Sequence, residues 1–204
     1  MLAQSFYFSS IINHARREWG INIINPAGLV RKPASPRGRN RALNDVEKTR
    51  LLNALIHTIQ NRKSPWMRPL VEFALETAMR RGEMLTLLWV NVNLEKRVAF
   101  LPTSKSGESR LVPLSTSALE VLKKIPHSID GRVFPLNGFT VAAAFAKAIK
   151  HSGIIDFHFH DLRHSAITKM VEKIPNVLEL AAITGHKTLS ILKRYTHFNA
   201  EDLA

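Results

Sequence analysis

The sequence predicts an α+β fold that is mainly helical and carries a small antiparallel three-stranded sheet. Apolar residues recur at helical spacing over most of the chain. The stretch 97–114 differs, because two short apolar runs flank a Ser/Gly turn, which is typical of a β-hairpin. With 204 residues, 45% of them hydrophobic, the chain is long enough for one compact domain with an appendage.

The appendage comprises a helix and a linker. Residues 8–19 predict a helix whose apolar stripe has no partner nearby in the sequence, because a single short helix cannot bury it. The linker, 25–42, has three prolines and two glycines, which should prevent regular structure. It is also strongly basic. It could lie across a phosphate backbone or serve as a solvated tether. Its basic residues are Arg31, Lys32, Arg37, Arg39 and Arg41.

The main domain is predicted to span 43–204, with 1–24 and 25–42 as separate segments. Its first helix begins at a capping pair of Asn44 and Glu47. A second, densely apolar helix covers roughly 65–79 and should lie centrally.

The second half of the domain predicts further short elements. Ser115 or Ser117 begins a helix that ends near residue 125, and 132–136 forms the third strand of the sheet. Thr140 caps an alanine-rich helix that ends near Gly153. The last quarter contains three helical segments, which start near Asp161, Asn176 and Thr188.

Composition narrows the class of protein. The formal net charge of +13 favours a polyanionic partner, with nucleic acid as the first candidate and a merely basic soluble protein as the alternative. The absence of cysteine excludes disulfides, thiol catalysis and cysteine-ligated metals. The pattern predicts neither a secretory signal nor a membrane-spanning apolar run. The expected location is therefore the cytoplasm.

Chargeable groups cluster in "HFHDLRH", residues 158–164. His160 and Arg163 are three apart, so one helix face can present both to the same object. Arginine can donate two parallel hydrogen bonds to a phosphate, and histidine can exchange a proton near neutral pH. The competing interpretation is a metal held by His160 and His164, which are four residues apart, with His158 close by. No carboxylate or other third ligand follows at convincing spacing, and an arginine between the histidines would oppose a cation. No metal site is therefore predicted.

Four other positions carry groups that a fold alone does not require. Arg80 follows a deeply apolar helix, and Lys105 lies in the hairpin turn. His186 lies at a corner between two helices, and Tyr195 is flanked by basic residues. Each has an ordinary explanation: pairing with a helix dipole, solvation in a turn, or packing in the core.

Taken together and in order, these motifs resemble those of the tyrosine recombinases, the phage integrase family. The resemblance runs from about Leu43 to His197 and rests on "TAMRRGEML", "SKSGESRLVPL", "HDLRHSAIT" and "TGHKTLSILKRYTH". One departure is Ala78, where glycine is common in the family. In this family a core-binding domain precedes the catalytic domain, and residues 1–24 resemble only the last helix of that domain.

The resemblance implies a DNA strand-cleaving and rejoining reaction at a scissile phosphate. Tyr195 would attack the phosphate, form a 3′-phosphotyrosyl link and release a 5′-hydroxyl. Arg80 and Arg163 would hold the non-bridging oxygens, and His186 would donate to the same phosphate.

The resemblance also implies how protons move. A phenol has a pKa of about 10 and is a poor nucleophile at neutral pH, so His160 would help to take its proton. Lys105, carried into the DNA by its turn, would protonate the leaving oxygen. Glu83 would support the arginine-bearing turn, and His164 would pack behind the site.

The implied reaction requires neither ATP nor a metal, and no cofactor is expected. The implied partners are double-stranded DNA, four protomers assembled on DNA from monomers in free solution, and accessory DNA-bending or directionality proteins. Two alternatives stay open. A type IB topoisomerase would relax a single duplex without a defined site, and a truncated integrase remnant would bind DNA without recombining it.

Overall fold

The structure is a computed structural model. It describes residues 2–30, 39, 41–60, 64–102, 109–186, 188–189, 192 and 195, with the side chains of 2–6 and 56–60 excepted. The chain divides into two compact units, Met1–Gly38 and Arg39–Ala204. None of the helices in the described ranges is both long and apolar enough to cross a membrane.

The first unit contains one long helix, α1 (Leu2–Glu18). Of its predicted apolar stripe, Ala15 is buried, whereas Phe8 and Trp19 are each 65% exposed. A short 3-10 helix, Pro26–Gly28, follows and is capped by the side chain of Asn25. The prediction that this stretch has no regular structure is wrong for these residues, because proline at a first helical position has its φ already set for the helix.

The second unit consists of helices arranged around a small sheet. Its elements in chain order are α2 (Asp45–Gln60), α3 (Met67–Thr77), α4 (Arg81–Leu85), β1 (Val92–Asn93), β2 (Val98–Leu101), β3 (Arg110–Pro113), α5 (Thr116–Lys124), α6 (Gly138–Ser152), α7 (Asp161–Lys173) and α8 (Val177–Thr184). The predicted mainly helical α+β class is confirmed. The predicted third segment of the last quarter, near Thr188, lies largely outside the described residues.

Side-chain caps fix where several helices begin. At α2, Asn44 Oδ1 accepts the backbone N–H of Glu47 (2.8 Å), and Glu47 Oε2 accepts that of Asn44 (3.2 Å), which confirms the predicted capping pair. Ser115 caps α5. The prediction that Thr140 caps α6 is wrong, because Asn137 accepts the backbone N–H of Thr140 (2.7 Å). An Asx cap acts three residues before the donor, and this places the helix start earlier.

The sheet is antiparallel with strand order β1-β2-β3. The hairpin of β2 and β3 is confirmed, with Ala99 opposite Val112 in the register. Both side chains are fully buried, so this face of the sheet lies against the core.

The predicted strand at 132–136 is wrong, and β1 is the third strand instead. Arg132 forms only an isolated bridge with Leu88. Val133 and Phe134 are fully buried, which explains the strand-like pattern. Pro135 has no N–H for a ladder, so the apolar run enters the core without becoming a strand of the sheet.

Helix α3 is central, as predicted, because its apolar residues are enclosed on several sides. It packs against α2, α5 and α7, and Leu70, Val71 and Phe73 are inaccessible to solvent. A second, smaller apolar cluster joins the end of α3 to α7 and α8. It comprises Ala78, Ala166, Ile167, Leu180, Ala181 and Leu192, with Tyr195 packed against it.

Candidate active site

The turn between α3 and α4 presents the first arginine of the site. Ala78 ends α3 with φ 52°, in the left-handed region. An L-residue with a Cβ is disfavoured there and glycine is not, which explains the glycine common at this position in the family. The turn therefore ends α3 abruptly and leaves Arg80 immediately before α4.

Arg80 is held by contacts on two sides. Its Nη1 donates to Glu83 Oε1 (2.9 Å), and its backbone N–H donates to Glu83 Oε2 (2.8 Å). Its Nη2 donates to the carbonyl of Gly185 (2.9 Å), at the end of α8. The side chain keeps 26% of its surface exposed. Glu83 thus contacts both the backbone and the side chain of Arg80.

The carboxylate of Glu83 also binds Arg110, a residue that the sequence analysis did not single out. Burial by itself raises the pKa of Glu83, but hydrogen bonds from Arg110 and Arg80 outweigh it and lower the pKa from 4.5 to about 2. The signal was present in the sequence. Strand alternation puts Arg110 on the same face as the buried Val112, and a buried arginine needs a carboxylate partner.

Arg163 is buried, with 4% exposure. Its Nη1 donates to the carbonyl of Ala78 (2.6 Å) and its Nη2 to the carbonyl of Thr184 (2.6 Å). Burial, followed by repulsion from Arg80, lowers the pKa of Arg163 from 12.5 to about 10. The guanidinium therefore stays charged at neutral pH, and its bonds connect α7 to the ends of α3 and α8.

Thr184 sets the tautomer of His186. The hydroxyl of Thr184 donates to the carbonyl of Leu180 (2.6 Å), so it can only accept from His186 Nδ1, 2.7 Å away. Nδ1 then carries the proton, and His186 Nε2 lies 3.2 Å from Nη2 of Arg163. His186 is thus oriented with Nε2 beside the arginine that the sequence assigns to the phosphate.

The hydroxyl of Tyr195 is hydrogen-bonded to Nδ1 of His164. The two rings are stacked, with centroids 5.9 Å apart. His160, which was expected to take the tyrosine proton, lies edge-on to His164 with ring centroids 5.3 Å apart. His164, which was expected to pack behind the site, therefore contacts the nucleophile that the sequence analysis assigns.

A cavity of about 1030 Å³ is bordered by part of this site. Arg80, His160 and Arg163 are among its lining residues. Apolar residues, including Phe145 and Phe157, also line it. Two guanidiniums next to one cavity can hold an oxyanion of phosphate size.

Potential metal ligands do not gather in the part of the chain that the structure describes. Across the ranges given above, no group of three or more His, Asp or Glu side chains is arranged to hold an ion. His158, one of the possible ligands considered, instead donates its backbone N–H to the carboxylate of Asp161 (2.8 Å).

Lys105, Arg31, Lys32 and Arg37 lie outside the described residues.

The other two basic linker residues have partners in the second unit. Arg39 donates to Asp156 Oδ1 (3.0 Å) and forms an ion pair with Asp161 (3.2 Å), and these bonds raise the pKa of Arg39. Arg41 binds Glu47 (3.0 Å), and its guanidinium lies 5.8 Å from the centroid of the Phe157 ring. Both side chains therefore form contacts within the second unit. That they contact DNA stays a prediction.

Comparison with known proteins identifies the family of this chain. The profile of the phage integrase family matches residues 45–202. The shufflon-specific DNA recombinase of Escherichia coli is 43% identical over 196 residues, which are 96% of this chain and 50% of that protein.

Two solved structures share the fold. The catalytic domain of bacteriophage HP1 integrase superposes with a TM-score of 0.61 and 27% identity, over 79% of this chain and 90% of that one. A lambda integrase tetramer bound to a Holliday junction gives a TM-score of 0.68 with 23% identity, over 96% of this chain and 59% of that one.

The chain therefore belongs to the phage integrase family and has the fold of tyrosine-recombinase catalytic domains. It spans about half the length of the E. coli recombinase that it matches.

Proposed function

We propose that this protein is a site-specific DNA recombinase that cleaves and rejoins DNA through a 3′-phosphotyrosyl intermediate. The observation that carries the proposal is a set of three pairs: Arg80 with Glu83, Arg163 with His186, and Tyr195 with His164. Two guanidiniums that line one cavity, together with a phenol hydrogen-bonded to an imidazole, suit attack on a phosphodiester. Membership of the integrase family supports the same reaction.

In the proposed cleavage step, the Tyr195 oxygen forms a bond to phosphorus as the bond from phosphorus to the 5′-oxygen breaks. The 3′-oxygen stays on phosphorus, so the phosphodiester is exchanged rather than hydrolysed and no nucleotide cofactor is needed. Arg80 and Arg163 offset the charge that develops on the non-bridging oxygens. Religation reverses these steps with a 5′-hydroxyl of the same or another duplex.

Two proton transfers accompany cleavage. We assign the tyrosine proton to His164 Nδ1, which is hydrogen-bonded to the hydroxyl. His160 packs edge-on against His164. The proton of the leaving 5′-oxygen is assigned to Lys105 from the family resemblance alone.

The proposed partners follow from charge and from the relatives. The net charge of +13 favours binding to the phosphates of double-stranded DNA. The proposed location is the cytoplasm. The lambda integrase structure is a tetramer on a Holliday junction, and we propose the same assembly here, formed on DNA from monomers. Accessory DNA-bending or directionality proteins are a further proposal.

Covalent capture tests the proposal. The protein is incubated with duplexes that carry a randomised sequence and a nick, so that the fragment released by cleavage diffuses away. A protein–DNA adduct that survives SDS, attached at the 3′ end, is expected with and without EDTA. Tyr195→Phe removes the attacking oxygen but little volume, so DNA binding should persist while the adduct disappears.

The outcomes separate the alternatives. An adduct that persists in Tyr195→Phe would remove Tyr195 from its role, and an adduct abolished by EDTA would point to metal chemistry. Relaxation of supercoiled plasmid without selection of a sequence would favour a topoisomerase. DNA binding with no adduct at all would favour a remnant without activity.

A further inference from the structure

Arg110 connects the β2–β3 hairpin to the two elements that hold Arg80. We propose that Arg110 is a positioning residue for DNA cleavage, which holds Arg80 in place through Glu83 and through the corner at Gly185. The proposal rests on the proposed function, since it assigns to Arg80 a contact with the scissile phosphate.

The first connection is a bidentate ion pair. Arg110 Nη1 donates to Glu83 Oε1 (2.9 Å), and Arg110 Nη2 donates to Glu83 Oε2 (2.7 Å). The same two oxygens accept Nη1 and the backbone N–H of Arg80. Each carboxylate oxygen therefore has two donors, which fills the roughly four acceptor positions of a carboxylate. Because Glu83 is bound on all of them, it can hold Arg80 in only one orientation.

The second connection is to the end of α8. Arg110 Nε donates to the carbonyl of Ile183 (3.2 Å). Its guanidinium also packs against Gly185, where a Cβ would lie 2.9 Å from Arg110 Cζ. Gly185 has φ +69°, and its carbonyl accepts Nη2 of Arg80. Glycine is thus favoured both by the backbone conformation and by the close approach of the Arg110 guanidinium.

Arg110 is not itself placed to grip a phosphate. Its Nε, Nη1 and Nη2 are all engaged by Glu83 and Ile183, and its side chain is only 10% exposed. It acts on the reaction through Arg80, which has 26% of its side chain exposed. Lysine could not replace it, because a point charge cannot make two parallel bonds to Glu83 and a third to a carbonyl.

Arg110 is also the first residue of β3, opposite Leu101 of β2. These two residues form the last pair of the hairpin before residues 103–108, the segment that contains Lys105. Anchoring Arg110 to Glu83 and Ile183 therefore fixes the base of the hairpin against the same corner that holds Arg80. The Arg110 side chain therefore connects β3 to α4 and to α8.

Two variants and a control test the proposal by kinetics. Arg110→Met keeps the apolar stem and removes every bond, and Arg110→Lys keeps the charge. Arg68→Met is the matched control, since it removes an arginine that pairs with Glu72 on a helix surface. For each variant, DNA affinity and the single-turnover rate of adduct formation are measured on the duplex recovered by covalent capture.

If Arg110 positions Arg80, its replacement should lower the rate of adduct formation without lowering the affinity for DNA. Arg110→Met should form the adduct about 10²-fold more slowly, the scale for losing one preorganised donor, while its dissociation constant stays within about twofold because Arg110 does not contact DNA. Arg110→Lys should melt like the wild type and still lose about tenfold in rate. A rate that is unchanged, or that falls only in step with affinity or with unfolding, would overturn the proposal.

A second readout needs no DNA. With ¹⁵N-labelled arginine, the guanidinium of Arg80 should show restricted rotation in the wild type and in Arg68→Met, and averaged signals in Arg110→Lys. Restricted rotation of Arg80 in Arg110→Lys would contradict the proposal. If the wild type forms no adduct, the proposed function fails, and this measurement still decides whether Arg110 positions Arg80.

Discussion

The carboxylate of Glu83 binds both Arg80 and Arg110, and its replacement by glutamine has a calculable cost. Glutamine has the same shape, but it is neutral and offers an NH₂ group where a second oxygen accepted from N–H donors. It also leaves the guanidiniums of Arg80, Arg110 and Arg163 without their shared counter-charge. Breaking a buried pair in this way costs about 3–5 kcal/mol.

The pKa gives an independent magnitude. Lowering the pKa of Glu83 from 4.5 to about 2 on folding corresponds to about 3 kcal/mol of stability, at 1.36 kcal/mol per tenfold change in proton affinity. The folded-state pKa is the lower one. This stability is therefore complete above pH ~4.5 and is lost as the pH falls toward about 2.

The assay is urea unfolding followed by tryptophan fluorescence, at pH values from 7 down to 2.5. Trp66 and Trp89 both lie in the second unit, so they report on the unit that contains Glu83. The difference between wild type and Glu83→Gln should be about 3 kcal/mol at pH 7 and should shrink steadily below pH ~4.5. The control is Glu72→Gln, which loses a partly exposed pair with Arg68 and should cost less than about 1 kcal/mol.

Two results would refute this reasoning. A difference that is the same at pH 3 and pH 7 would mean that ionisation of Glu83 contributes nothing to stability. A loss at pH 7 no larger than that of Glu72→Gln would mean that the carboxylate is not the counter-charge that the site depends on.

Three further predictions concern the rate of adduct formation. Thr184→Val keeps the side-chain shape but removes the acceptor at His186 Nδ1, so the rate should fall about tenfold, the value of one buried hydrogen bond; an unchanged rate would leave the tautomer without a role. His164→Gln should be slower than His160→Gln, by up to about 10²-fold, and the reverse order would restore His160 as the group that takes the tyrosine proton. Arg163→Lys should lose about 10²–10³-fold, and a rate near wild type would argue against bidentate contact with the phosphate.

Several features of the fold could be predicted because their causes lie within a few residues. The capping pair of Asn44 and Glu47, the Ser115 cap and the β2–β3 hairpin each depend on neighbours in the chain. The third strand was misplaced for the opposite reason. Residues 132–136 are apolar because they cross the core, and burial alone does not distinguish a paired strand from an unpaired segment.

By itself, the sequence determined the family and indicated the candidate reactive groups, because the order of arginine, histidine and tyrosine motifs is a property of the chain. It did not determine which groups meet. Arg163 and Ala78 are bonded across 85 positions, and Arg110 and Glu83 across 27. Helical and strand periodicity say which face a residue occupies, whereas its partner on that face depends on how the helices pack. The contact between Tyr195 and His164 has the same origin, since only the docking of Tyr195 decides which ring nitrogen its hydroxyl reaches.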